Sequence, residues 1–408
     1  MAVEISQVLP SVLLYLGVIL IAAKLGGVLA AKIRQPGVLG ELVAGIMIGP
    51  SVAGWLSQRL FGTALFINLS SEAGVFMDVL AQIGIILLLF LAGLSIDVEE
   101  FKKSGKPAAI VAATGVITAF LLGFGVASLL NWAPLEAAFV GAILAATSVG
   151  ITVRTLMDVH GLHTRVGMTI LGAAVIDDVI AIVILGVLGG LAFGGLTSLG
   201  LAENIALIAL FFIVVLFIGF KTMPRLLTFV GRLRVEEVTL SIALAVVFLI
   251  GALAERIRIA ALTGAFVAGL VMSRSPVAES LRAKVLTVGY GLFIPIFFVA
   301  MGARTDLGAL TGACSLAVAL AIIAMFDKVV GCGIGALASG FGVKDSLRVG
   351  VGMMPRAEIA LVIAAMGAST GVIGAELLSM AVMVVLVTSL ITPVLVKLAF
   401  KEAPPEKK

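Results

Sequence analysis

Long apolar runs separated by short polar segments fill almost the whole chain, and they predict membrane-spanning helices. A helix needs roughly 20 predominantly apolar residues to cross a bilayer. The predicted spans are residues 9–30, 36–54, 78–97, 107–130, 135–157, 166–191, 203–222, 235–254, 259–274, 285–303, 308–340, 346–370 and 373–400, with an outer loop over 55–77. The pattern therefore predicts an all-α polytopic membrane protein with about 13 transmembrane helices.

Composition supports this prediction. The chain of 408 residues is 61% hydrophobic and only 12% charged, which excludes a soluble globular protein of this length. The 47 glycines fit close helix packing in lipid. The net charge of +4 does not indicate a nucleic-acid partner, because the basic residues lie between the apolar runs. Cys314 and Cys332 share one apolar stretch, which argues against a disulfide framework.

The basic residues also predict the orientation. Cytoplasmic loops carry an excess of Lys and Arg. With the N-terminus outside, the inner loops and tail hold most of the 27 basic residues, and the outer loops keep only Arg59, Arg256, Arg258 and Arg304. We therefore expect a multi-pass protein of the cell (inner) membrane with its C-terminus in the cytoplasm. The chain opens without a recognisable signal peptide, and 401–408 is a short cytoplasmic tail.

The second half of the chain repeats the first. Residues 40–45 resemble 264–269, and residues 89–97 match 298–306 in their Gly and Asp. The copies lie an odd number of spans apart, so the second copy is inserted with the opposite orientation. Inverted repeats are typical of secondary transporters, whose sites lie near the midplane on discontinuous helices.

Two spans at equivalent positions of the repeat are interrupted. The fifth span contains Thr147 and Ser148, and the twelfth contains Pro355, Arg356 and Glu358. Pro355 removes a backbone donor and disfavours helix just before itself. Two structural explanations stay open: the hydroxyls can bond to their own helix, and Arg356 with Glu358 can form an ion pair. Otherwise, unwound backbone at this depth lines a cavity.

Asp177 and Asp178 lie in the middle of the sixth span. A carboxylate there is costly, by at least about 2.5 kcal/mol for an Asp on insertion scales, and it marks an ion or proton pathway. Lys328, beside Asp327, is too central in the eleventh span to reach either interface. Adjacent helical residues point about 100° apart. One Asp can therefore pair with Lys328 while the other faces a cavity.

These residues together predict an alkali-cation site. Hard cations prefer oxygen ligands, which a carboxylate of the Asp pair, the hydroxyls of Thr147 and Ser148, main-chain carbonyls and water would supply. The chain has no His or Cys cluster for a transition metal. His160 and His163 fall in an inner loop, where they are solvated residues or weak pH sensors.

The combined motif resembles monovalent cation:proton antiporter family 2, and most closely its NapA-type sodium/proton antiporters. It consists of Thr147-Ser148, Asp177-Asp178, Lys328 and Arg356-Ala357-Glu358. The resemblance implies the NhaA/NapA-like fold with two crossing discontinuous helices. It also implies that Asp178 and the hydroxyls of Thr147 and Ser148 bind Na⁺, that Asp177 pairs with Lys328, and that Glu358 is a further polar residue near the site.

The resemblance further implies a homodimer that works by elevator-type alternating access. Residues 1–106 and 235–306 would form a dimerisation domain, 107–202 and 307–400 a core domain, and 203–234 a linker helix.

We therefore expect a transporter rather than an enzyme: an electrogenic antiporter exchanging Na⁺ or Li⁺ for H⁺, without a cofactor. The alternatives are a Kef-type potassium/proton antiporter, a cation channel and an intramembrane aspartyl protease. Kef relatives commonly carry Gln-Asp where this chain has Asp177-Asp178. A protease would need two aspartates that face each other, whereas neighbours on one helix diverge.

Overall fold

The computed structural model describes residues 5–33, 35–63, 66–69, 71–192, 198–233, 235–257, 261–304, 310–356 and 358–401. These residues form helices and no strand. The helices are α1 Ile5–Lys32, α2 Gly37–Ile48, α3 Trp55–Phe61, α4 Glu72–Leu94, α5 Val98–Leu129, α6 Pro134–Ala145, α7 Val149–Asp158, α8 Arg165–Ala192, α9 Ser198–Val230, α10 Val238–Arg256, α11 Ala261–Met272, α12 Ala278–Val288, α13 Ile294–Ala303, α14 Leu310–Ala338, α15 Val343–Gly352, α16 Glu358–Ser369 and α17 Ala375–Phe400, with π-helical turns at Pro50–Gly54 and Gly289–Phe293.

The helices confirm the predicted membrane architecture. Within the described residues, eleven helices are long and apolar enough to cross a membrane, and Ala261–Met272 and Ile359–Ala368 are shorter apolar helices. Each of the 13 predicted spans corresponds to one of these segments. The predicted loop over 55–77 is partly helical, because α3 lies inside it and α4 begins at Glu72.

The chain divides into two compact units. One contains Met1–Leu88 and Ala283–Gly312, and the other contains Leu89–Arg282 and Ala313–Lys408. The second unit holds all the candidate site residues. Its boundaries differ from those of the predicted dimerisation and core domains, because it also includes 235–282. The predicted dimerisation and core domains are defined by their motion relative to each other, so their boundaries stay a prediction.

Glycines mediate a close helix crossing in the first unit. A Cβ on Gly45 of α2 would clash with the carbonyl oxygen of Val299 on α13, and a Cβ on Gly302 would clash with that of Leu42. Small residues allow two helix backbones to approach this closely. Gly45 and Gly302 therefore fix where α2 and α13 cross.

The same contact recurs in the second unit between α4 and α11. A Cβ on Gly93 would clash with the carbonyl oxygen of Phe266, and a Cβ on Gly269 with that of Phe90. The sequence repeat aligns these four residues with the four of the crossing between α2 and α13. Corresponding residues thus make corresponding backbone contacts, as an internal repeat requires.

The later helices of each copy also make close contacts at equivalent glycines. Gly141 of α6 lies against the carbonyl of Phe120 on α5, and Gly350 of α15 lies against the carbonyl of Val329 on α14. Both residue pairs are separated by the same number of positions along the chain. The repeat therefore extends to α6 and α15, the helices that lead into the two predicted breaks.

Candidate functional site

The two interrupted spans cross at their breaks. Helix α6 ends at Ala145 and α7 begins at Val149, with extended backbone at Ser148. The main-chain N–H of Ser148 donates to the carbonyl of Pro355, 2.7 Å away, in the second break between α15 and α16. One turn further, the Thr152 hydroxyl donates to the carbonyl of Gly352 at 2.7 Å. The predicted pair of crossing discontinuous helices is therefore present.

The first break places two hydroxyl groups in the interior. Thr147 and Ser148 are both buried. Neither Oγ atom has a hydrogen-bond partner among the described residues, so neither bonds to its own helix there. Buried polar atoms are normally satisfied by protein, water or an ion. These two oxygens are therefore available as ligands of the kind that an alkali cation prefers.

Helix α8 carries the carboxylates. Asp177 and Asp178 are fully buried, as is Lys328 on α14. Lys328 Nζ donates to Asp177 Oδ1 at 2.9 Å. Helix geometry left both aspartates open as partners, and the family resemblance implied Asp177, which is the residue that Lys328 contacts. The second oxygen, Asp177 Oδ2, has no hydrogen-bond partner within the described part of the chain.

Asp178 points elsewhere, as expected for neighbouring residues on a helix. Its Oδ2 accepts a hydrogen bond from the hydroxyl of Thr263 on α11, at 3.1 Å. Sequence reasoning missed Thr263. The only signal was a single hydroxyl in the first turn of an otherwise apolar helix, which does not by itself distinguish a site residue from a packing residue.

A second buried ion pair lies beside the first. Arg356 Nη2 donates to Asp327 Oδ1 at 2.6 Å and also to the carbonyl of Ala324 at 2.8 Å, both on α14. Arg356 therefore pairs with Asp327, a partner that the sequence analysis did not consider. The side chain of Glu358 lies outside the described residues, so its predicted place near the site stays a prediction.

Two hydroxyl groups of α17 form hydrogen bonds with the main chain of the second break at Arg356. The main-chain N–H of Arg356 donates to Thr388 Oγ1 at 3.1 Å, and its carbonyl accepts from Ser389 Oγ at 3.1 Å. The interrupted helix cannot satisfy these groups itself. The sequence signal for this contact is a polar Thr-Ser pair in an otherwise apolar span.

Apolar side chains close the site on the side of α5. Val116, Ala119 and Ala145 form a buried cluster, and Ile180 and Ile184 of α8 pack against it. These isoleucines lie within two turns of the aspartates. The cluster excludes water from this side and strengthens the electrostatic interactions within the site.

Five charged side chains meet at this site. Asp177 with Lys328 and Asp327 with Arg356 form two buried pairs that cancel in charge. An ionised Asp178 would then leave a net charge of −1 among the five. One proton or one alkali cation would neutralise it.

Within the described residues, no cluster of three or more His, Cys, Asp or Glu side chains could hold a transition metal. His160 and His163 lie in the turn between α7 and α8 and are exposed. Their positions agree with the predicted loop.

The profile of the family described as "Sodium/hydrogen exchanger, transmembrane" matches residues 18–401. The chain belongs to this family. The resemblance to cation:proton antiporters noted from the sequence is therefore confirmed. The match extends from the middle of α1 to the end of α17.

Two relatives are similar over nearly their full length. The chain is 35% identical to the Na⁺/H⁺-K⁺ antiporter GerN of Bacillus cereus, covering 94% of this chain and 95% of the relative. It is 34% identical to the high-affinity Na⁺/H⁺ antiporter NhaS3 of Synechocystis sp., covering 98% and 93%.

A solved structure supports the fold. The sodium proton antiporter MjNhaP1 from Methanocaldococcus jannaschii matches with a TM-score of 0.71 at 19% identity, covering 97% of this chain and 99% of that one. At this identity the match establishes the fold and nothing finer.

Proposed function

We propose that this chain is a Na⁺/H⁺ antiporter in which Asp178 binds Na⁺ and H⁺ in turn. The observation that carries the proposal is the buried aspartate pair, in which Asp177 pairs with Lys328 and Asp178 accepts a hydrogen bond from Thr263. Membership of the sodium/hydrogen exchanger family and the names of the relatives support this function.

The exchange follows from the chemistry of one carboxylate. Removed from water, a carboxylate is stable only when it is protonated or paired with a cation. Asp178 therefore holds either H⁺ or Na⁺. The hydroxyls of Thr147 and Ser148, main-chain carbonyls of the first break and water complete the oxygen ligands that the cation needs. A proton displaces Na⁺ on one side of the membrane, and Na⁺ displaces the proton on the other.

The finer features of the function are part of the same proposal. The antiporter is a homodimer in the cell membrane, with its N-terminus outside, and it works by elevator-type alternating access. It also accepts Li⁺, a smaller hard cation. Release of Asp177 from Lys328 in the cycle supplies a second proton site, so the exchange is electrogenic.

A second candidate substrate is K⁺. The name of GerN includes K⁺ as well as Na⁺, and all the ligands proposed here are oxygen atoms, which K⁺ also accepts. The same assay distinguishes the two cations when each is added alone.

The experiment is proton flux in proteoliposomes with an imposed pH gradient and an internal pH dye. Addition of Na⁺ should move protons in the wild-type protein. Asp178→Asn should abolish this flux and leave a folded protein, because asparagine keeps the volume but cannot exchange a proton for a cation. Asp97→Asn is the matched control, since Asp97 is an exposed residue in the turn after α4.

Wild-type proton flux in Asp178→Asn would overturn the assignment of Asp178. Cation flux in the wild-type protein without any proton movement would indicate a channel instead. K⁺-driven flux with no response to Na⁺ or Li⁺ would replace sodium by potassium as the substrate.

A further inference from the structure

Thr263 touches the proposed ion ligand directly. Its Oγ1 lies 3.1 Å from Asp178 Oδ2, and the residue is fully buried. A threonine hydroxyl has one hydrogen, and an ionised carboxylate can only accept, so Thr263 is the donor. This contact comes from α11, a helix that contributes none of the residues predicted for the site.

The packing of α11 fixes this hydroxyl. A Cβ on Gly264 would lie 3.0 Å from Ala254 Cβ and 3.1 Å from the carbonyl of Ile250 on α10. The glycine face of α11 therefore packs closely on α10. Thr263 lies about 100° around the helix from Gly264 and meets α8. The tight crossing with α4 holds α11 in place on a second side.

The internal repeat shows that the hydroxyl is not needed for helix packing. The alignment of residues 40–45 with 264–269 places Thr263 opposite Leu39 in the first copy. Leucine cannot donate a hydrogen bond, yet the first copy makes the same glycine-mediated crossing. The hydroxyl is therefore specific to the copy that reaches Asp178.

We propose that Thr263 is a positioning residue for the transported cation, because its hydroxyl fixes the carboxylate plane of Asp178. The terminal torsion of an aspartate is otherwise broad, and cation affinity depends on the rigidity of the ligands. The inference rests on the proposed function of Asp178 as the ion ligand.

Transport kinetics test the proposal through Thr263→Val, which removes the hydroxyl at nearly constant volume. The apparent KM for Na⁺ should rise about tenfold, which corresponds to about 1.4 kcal/mol, since hydrogen bonds to charged groups are stronger than neutral ones. The maximal rate should stay near the wild-type value. Thr263→Ser keeps a hydroxyl and should restore the wild-type KM.

Sodium binding gives an independent measurement without transport. Na⁺ should raise the Tm of the detergent-solubilised protein by mass action, and Thr263→Val should reduce this rise. In an Asp178→Asn background, Thr263→Val should cause no further loss. Thr392→Val is the matched control: Thr392 is also fully buried, but its hydroxyl donates to the carbonyl of Thr388 in its own helix at 2.6 Å.

Unchanged KM and Tm response in Thr263→Val would overturn the proposal, as would failure of Thr263→Ser to restore them. Should the valine variant not fold, Thr263→Ala tests the same loss of the hydroxyl in both assays. A wild-type protein that binds Na⁺ but moves no protons would overturn the proposed antiport, while the Tm measurement would still decide the role of Thr263.

Discussion

Thr147 and Ser148 each bring a buried oxygen to the break between α6 and α7, next to the backbone contact with Pro355. In an uninterrupted helix such hydroxyls bond to the preceding turn. Thr155, one turn into α7, does so: its hydroxyl donates to the carbonyl of Ile151 at 2.7 Å. A hydroxyl in the continuous helix thus bonds to that helix, whereas the hydroxyls at the break are left for the proposed cation.

Thr147→Ala and Ser148→Ala should each weaken apparent Na⁺ affinity more than they lower the maximal rate. A hydroxyl ligand supplies uniform binding, and its loss raises KM without stopping the cycle. We expect a rise in KM of about fivefold, as for a net contribution of about 1 kcal/mol. The measurement is proton flux against Na⁺ concentration. Thr155→Ala is the control, and unchanged affinity in both test variants would make the break a packing feature.

At the scale of elements, both breaks were predictable because their cause is local. Pro355 and the polar residues around each break are visible in the sequence, and the breaks recur at equivalent positions of the repeat. A buried ammonium needs a carboxylate, so the pairing of Lys328 with an aspartate of α8 was also predictable. The choice of Asp177 depends on the rotation of α8, which helix geometry alone does not specify, so it followed only from the family resemblance.

The partner of Arg356 was not predictable for a related reason. Glu358 lies two residues away along the chain, whereas Asp327 becomes a neighbour only when α14 packs against the second break. Asp327 and Lys328 diverge around α14, so one helix supplies both buried ion pairs with Arg356 and Asp177. Tertiary packing therefore brings Asp327 to Arg356, and sequence proximity gave no sign of this contact.

Arg356→Gln should destabilise the protein strongly, because it leaves Asp327 as an uncompensated buried charge. Breaking a buried pair typically costs about 3–5 kcal/mol. The double variant Arg356→Gln with Asp327→Asn should lose less than the sum of the single variants. Thermal unfolding of the solubilised protein measures both effects.

Arg304→Gln is the control for this series. Arg304 pairs with Asp78 at 2.7 Å, and both side chains are partly exposed. Exposed pairs contribute about 0–1 kcal/mol. Equal losses of stability in Arg356→Gln and Arg304→Gln would show that the Asp327 pair does not stabilise the second break.

For the whole molecule, the internal repeat determines where the site can form. The two copies make the same glycine-mediated crossings and the same kind of break, but their site chemistry differs. The first copy supplies Asp177 and Asp178, and the second supplies Thr263, Asp327, Lys328 and Arg356. A symmetric scaffold therefore carries an asymmetric set of charges, with a net charge of −1 when Asp178 is ionised.

This charge arrangement leads to a prediction about the response to membrane potential. In the proposed electrogenic cycle, Asp178 exchanges one proton for one Na⁺, and separation of Asp177 from Lys328 adds a second proton. Without that pair, one proton would be exchanged for one Na⁺, so no net charge would cross the membrane. The double variant Asp177→Asn with Lys328→Gln should therefore retain some exchange but lose its dependence on membrane potential.

Each single variant should also unfold at a lower temperature, and the double variant should lose less stability than the sum of the two single variants.

The measurement is Na⁺-driven proton flux in proteoliposomes with and without a K⁺ diffusion potential set by valinomycin. The control is the double variant Asp78→Asn with Arg304→Gln, which removes an ion pair at 2.7 Å whose side chains are both partly exposed. It should keep the wild-type voltage response, because removal of that pair leaves the buried charges in place. Full voltage dependence in Asp177→Asn with Lys328→Gln, together with additive losses of stability, would rule out this pair as the second proton site. The buried pair of Asp327 and Arg356 would then be the remaining described group able to supply it.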